Sequence, residues 1–202
     1  GTTPGFANGV AVAGNYAYIT DTNSPGSGLH VFDVTDPMSP RRVASVSDGL
    51  SGLAGDVAVA GNYAYVADGF HLRVIDVSDP TSPRVVGSAH MGAFAVDVAV
   101  VGTYLYVAAS ASGGLRVIDV SDPVSPRVVR SLDLVGVNGI TALGNFVFVV
   151  HGYSLRVIDV SDPTSPRVVG SVRTQGAWKV AVTGKFAYLA GLHAGLLVID
   201  VG

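Results

Sequence analysis

The chain of 202 residues contains no cysteine, two methionines and a single tryptophan. The lack of cysteine excludes disulfides and thiolate metal sites and leaves the redox compartment unmarked. Charge is scarce as well. Asp, Glu, Lys and Arg make up 13% of the residues, against about 25% in an average globular domain. Such a chain must bury its strands on both faces and keep its charge in loops. A net charge of −3 and a pI near 5.9 give no basic footprint, so nucleic acid is not an expected partner. No basic n-region leads into an apolar run at Gly1, so no signal peptide is expected in this sequence. Residues 134–155 lack Asp, Glu, Lys and Arg, a length that raises a membrane span. Gly144-Asn145 divides that stretch into two β-forming runs, so membrane insertion is not expected.

What the chain has in abundance is repetition. LRVIDVSDPTSP stands at 72–83, LRVIDVSDPVSP at 115–126 and LRVIDVSDPTSP again at 155–166. A looser copy, LHVFDVTDPMSP, occupies 29–40, and LLVIDVG occupies 196–202. Ahead of each copy, small β-branched runs such as Val57-Ala58-Val59 precede a turn (Gly14, Gly61, Gly102, Gly144, Gly184). Runs such as Tyr63-Ala64-Tyr65 follow it. Apolar β-formers on either side of a glycine turn read as a hairpin. The prolines and Asp/Ser side chains of SDPTSP mark a further turn, and Arg84-Val85-Val86-Gly87-Ser88 reads as a fourth strand. Turn glycines recurring every 40 to 47 residues match the four short strands of a propeller blade.

This arithmetic predicts an all-β fold: one domain over 1–202, a five-bladed β-propeller of four-stranded antiparallel blades. The blades are expected at about 6–46, 47–89, 90–132, 133–172 and 173–202, the last lacking its fourth strand. The unfilled strand position leaves two expectations for assembly, a monomer or an edge-paired homodimer.

The repeated (L)RVIDVSDP with GNYAYVAD ahead of it resembles the LVIVD repeat family over about residues 6–202. The resemblance implies a β-propeller and an extracellular or cell-surface protein. The family has no shared catalytic set to carry over, and fold does not imply function.

Residues present in every blade read as scaffold, so candidate function lies in the departures. His71, His151 and His193 fall in the loops between second and third strands. Loop histidines are candidate acid/base groups or metal ligands. Counting back from the turn glycines puts Asp56, Asp97, Lys179, Asn8 and Asn138 at the starts of inner strands. Asp56 and Asp97 are candidate ligands for a divalent cation at the mouth of a central channel; no other cofactor is expected. Phe70, Tyr153 and Trp178 are aromatic departures suited to a glycan or a protein partner, and Trp178 beside Lys179 is the leading contact residue. The leading expectation is a non-catalytic binding module presenting one loop face to a protein or glycan. The alternative is a hydrolase or lyase, with or without a metal, built from these His and Asp residues.

Overall fold

Alternating side-chain direction along each short strand, broken by turn residues, gives nineteen strands in the computed structural model. It describes residues 2–3, 5–22, 25–110, 113–191 and 195–202. The first blade is β1 (Phe6–Ala13), β2 (Tyr16–Thr22), β3 (Leu29–Asp33) and β4 (Arg41–Val46). The second is β5 (Ala54–Ala60), β6 (Tyr63–Asp68), β7 (His71–Asp76) and β8 (Arg84–His90). The third is β9 (Ala95–Val101), β10 (Tyr104–Ala109), β11 (Gly114–Asp119) and β12 (Arg127–Leu132). The fourth is β13 (Val137–Leu143), β14 (Phe146–His151), β15 (Ser154–Asp159) and β16 (Arg167–Arg173). The fifth has three strands, β17 (Ala177–Thr183), β18 (Phe186–Gly191) and β19 (Gly195–Asp200). Each blade is a meander in which sequential strands pair, so the fold is an all-β propeller of five blades.

The charge-free stretch at 134–155 forms the β13–β14 hairpin and opens β15. Among the described residues no helix is long and apolar enough to cross a membrane.

Two compact units divide the chain: Gly1–Ala95 with Ser121–Pro126, and Val96–Val120 with Arg127–Gly202. In the first, Tyr18, Leu29 and Val31 of the first blade pack on Val57, Val66, Ile75 and Val77 of the second. In the second, Tyr106, Leu115 and Val117 meet Val137, Ile140, Val149 and Ile158. There also Phe148, Val150 and Leu155 meet Ala177, Val180 and Leu189. Within each unit a blade thus covers a face of its neighbour, and a fully buried Leu, Ile or Val contributes about 1.5–3 kcal/mol. The Tyr-x-Tyr alternation puts both rings of Tyr16/Tyr18 and of Tyr104/Tyr106 on one face, as a period of two requires.

The refrain itself is turn chemistry. Asp76 accepts from the Ser78 amide and hydroxyl at 3.0 and 2.6 Å and from Arg84 at 2.6 Å. Asp79 accepts from the Thr81 amide and hydroxyl at 2.9 and 2.7 Å. Asp159 and Asp162 repeat both patterns. These recurrent aspartates are fastened to backbone and hold the link from third to fourth strand.

Candidate functional site

In the second and fourth blades one end collects the start of the inner strand and the turn between second and third strands. In the second blade, register pairs Ala54 with Asp68, Asp68 with His71 and His71 with His90. Gly69 and Phe70 make the turn between them. The segment leading into β9 is tied to that turn by two backbone bonds, Met91 N to Phe70 O at 2.8 Å and Ala95 N to Gly69 O at 2.7 Å. This clamp sets Phe70 edge-on to Phe94, ring centroids 5.9 Å apart. It also sets His71 edge-on to His90 at 5.2 Å. Phe70 stays 52% exposed.

Burial, with the Arg73 and His90 charges beside it, holds the His71 imidazole below its ordinary value, against the opposing pull of Asp68. Asp68 is fully buried, accepting from the Ser51 amide at 2.8 Å and from Arg73 Nε at 3.2 Å.

Four of the inner strands open on a register shift. The pairing shifts between Ala7 and Gly9, between Val137 and Gly139, and between Ala177 and Lys179. Asn8, Asn138 and Trp178 are therefore the extra residues of three bulges, a feature that re-aims side chains at sheet rims. β5 carries its shift between Ala54 and Val57, around Asp56.

In the first unit Asn8 donates to the Ala54 carbonyl at 3.0 Å and to Thr22 at 3.1 Å. A side chain on Gly9 would collide with Asp56. In the second unit Asp97 is buried, its carboxylate accepting from the Ile140 amide at 3.0 Å and the Val98 amide at 2.9 Å. Lys179 Nζ lies 3.0 Å from the same carboxylate. Next to it Trp178 is 54% exposed, and Tyr153 is 72% exposed in the turn between β14 and β15. Asn138 and His151 are half-buried; burial, then Arg156, holds the His151 imidazole low. His193 lies outside the described residues.

Several features escaped the sequence reading. His90 pairs with His71 and Phe94 with Phe70, contacts that membership of the same loops does not show, although counting register from the turn places His90 opposite His71. Arg73 of the repeated motif bonds within its own blade, bridging Asp68 and Ser88. In the first blade His30 takes the same place. Its Nδ1 is 2.9 Å from Ser45 Oγ. Its Nε2 is 3.0 Å from Asp21, off the line of a hydrogen bond. Burial pushes the Asp21 carboxyl up, but the Gly28 and Gly5 amides and His30 outweigh it and leave it below the ordinary value. His30 is thus a buried scaffold residue, separate from the exposed cluster of the second blade.

Among the described residues no three His, Cys, Asp or Glu side chains gather closely enough to hold a metal ion.

These features define a five-bladed propeller whose departures from its repeat collect at the bulged ends of its blades. The LVIVD repeat matches residues 4–48, 51–90, 92–133, 136–174 and 176–202, and the chain belongs to that family. No curated protein matches it. Its fold is similar to that of a functionally unknown protein from Desulfotomaculum acetoxidans DSM 771, with TM-score 0.83 and 16% identity over 98% of this chain and 67% of that one. It is similar also to the periplasmic gluconolactonase PpgL of Pseudomonas aeruginosa, with TM-score 0.79 and 16% identity over 96% and 66%. A third similar fold is that of a chain in a nidogen/laminin complex, with TM-score 0.72 and 15% identity over 98% and 77%. The chain spans about two thirds of the length of the first and second of these.

Proposed function

We propose that the protein is a non-catalytic binding module of an exported or surface protein, presenting the bulged ends of its blades to a protein or a glycan. The observation that carries this reading is the exposure of Phe70, Tyr153 and Trp178, each more than half open to solvent at that end of its own blade. Aromatic rings with polar neighbours supply large contact area at little conformational cost, and they dominate interface energetics. Lys179 beside Trp178 and the imidazoles beside Phe70 provide polar rims. A protein of similar fold in the nidogen/laminin complex supports the same class of role.

The test is a glycan array and an ectodomain panel probed with the purified protein, followed by titration of any hit. Trp178→Ala or Phe70→Ala is expected to weaken binding at least ~10-fold, since an aromatic acting as an interface hot spot is worth about 2 kcal/mol or more. The melting temperature should stay nearly unchanged. A large fall in melting temperature would assign the ring to the core and sink the reading.

One observation favours a second reading, that of a metal-assisted hydrolase or lyase. The His71 and His90 centroids stand 5.2 Å apart, close to the ~5 Å of two imidazoles sharing one tetrahedral ion at about 2 Å per bond. A similar fold also serves a gluconolactonase. Zinc titration followed through the histidine NMR signals, together with lactone hydrolysis by the wild type and by His71→Ala, separates the two readings.

A further inference from the structure

The sequence holds two Asn-Gly steps, Asn8-Gly9 and Asn138-Gly139. Each sits at the register shift of an inner strand, one in β1 and one in β13. An Asn-Gly step is open to attack on itself, because glycine has no Cβ to keep its amide nitrogen from the neighbouring carboxamide carbon. A bulge leaves one residue unpaired and disrupts the ladder beside it. Whatever else fastens the step therefore decides how readily it reacts.

In the first blade the step is fastened three times. Asn8 Nδ2 donates to Thr22 Oγ1 at 3.1 Å and to the Ala54 carbonyl at 3.0 Å. The Gly9 amide donates to Thr20 Oγ1 at 3.0 Å. Thr20 is fully buried and is itself held, its hydroxyl donating to the Gly55 carbonyl at 2.8 Å. Both reacting groups, the carboxamide and the amide that would attack it, are engaged.

In the fourth blade neither hydroxyl exists. Gly139 is paired in register with Val150, as Gly9 is with Thr20. Gly152 stands two residues further on, where the first blade has Thr22. The same bulge is built there without the two threonine contacts. Asn138 is half-buried, so solvent reaches it.

We propose that Asn138 is a site of spontaneous deamidation, while Asn8 keeps its amide. The Gly139 amide nitrogen attacks Asn138 Cγ. A C–N bond forms, closing a succinimide, and the Cγ–Nδ2 bond breaks, so that ammonia leaves with the proton given up by the Gly139 nitrogen. Water then opens the ring at either carbonyl, giving aspartate or isoaspartate. Each event adds a negative charge to a strand so close to its neighbour that a Cβ on Gly139 would meet the Trp178 carbonyl and the Lys179 Cα. The chemistry stands whether or not Trp178 and Lys179 contact a partner.

Peptide mapping by mass spectrometry, during incubation of the purified protein in warm, mildly alkaline buffer, tests this. Asn138 should convert at least ~10-fold faster than Asn8, since two hydrogen bonds fewer restrain the reacting groups. In urea, with the fold removed, the two steps should react at similar rates. Thr20→Val deletes the hydroxyl that holds the Gly9 amide and should speed conversion at Asn8 several-fold. Equal rates in the folded protein, the same preference for Asn138 in urea, or an Asn8 indifferent to Thr20→Val overturns the proposal. If Thr20→Val fails to fold, Thr22→Val tests the same hold from the carboxamide side.

Discussion

All fifteen acidic residues of the chain are aspartates, and the turns show why the shorter acid serves. Asp76 reaches the amide two residues on, a closure that an added methylene would overshoot. Its Ser78 and Arg84 contacts hold its carboxyl down at about 2. Asp68 is a different kind of aspartate, fully buried and bonded to Ser51 and Arg73. Removing it strands a largely buried guanidinium. Asp68→Ala is therefore expected to cost about 3–5 kcal/mol, and Asp76→Ala, at the surface, about 1 kcal/mol. Urea midpoints of the two variants compare them directly. Either aspartate alone looks alike in the sequence; the difference arises from what covers it.

Strand by strand, the close approach of neighbouring inner strands decides where side chains at the bulges point. A Cβ on Gly139 would meet the Trp178 carbonyl and the Lys179 Cα, whereas one on Gly170 would meet only Val157 at 3.5 Å. Gly139→Ala should lower stability by about 1–3 kcal/mol through overpacking and shift the emission of the lone tryptophan. Gly170→Ala should stay within about 0.5 kcal/mol and leave the emission alone. The hairpins were legible beforehand because glycine turns and a period of two are local signals. The bulges at Asn138 and Trp178 were not, because a one-residue slip is set by the opposite strand. The His71–His90 pair lay between these cases: its register could be counted, but the clamp that turns the two rings edge to edge is tertiary.

Across the whole molecule, titration points one way. The carboxyls of Asp21, Asp33, Asp76, Asp79, Asp159 and Asp162 lie below their ordinary 3.8 in the folded state. The unfolded chain thus binds more protons as the pH falls below 3.8, so stability present above that value is lost toward about 2. His71 and His151 lie below their ordinary 6.5; they too favour the folded state above 6.5 and lose that contribution as the pH falls through the folded values. Urea midpoints should be flat above neutrality, decline gently below 6.5 and fall steeply below 3.8. A midpoint that rises on acidification from neutrality to pH 5 would contradict these directions.

By itself the sequence determined the number of blades, the strands within each and the assignment of the repeated aspartates to scaffold. Each of these rests on local periodicity and turn chemistry, copied along the chain. Only the tertiary structure decided which departures meet. It brought His90 and Phe94 to His71 and Phe70, buried Asp97 against Lys179 and Ile140, set His30 among scaffold contacts, and left Trp178 facing solvent. Those outcomes depend on register between strands and on which blade face is covered, and no single segment carries that information.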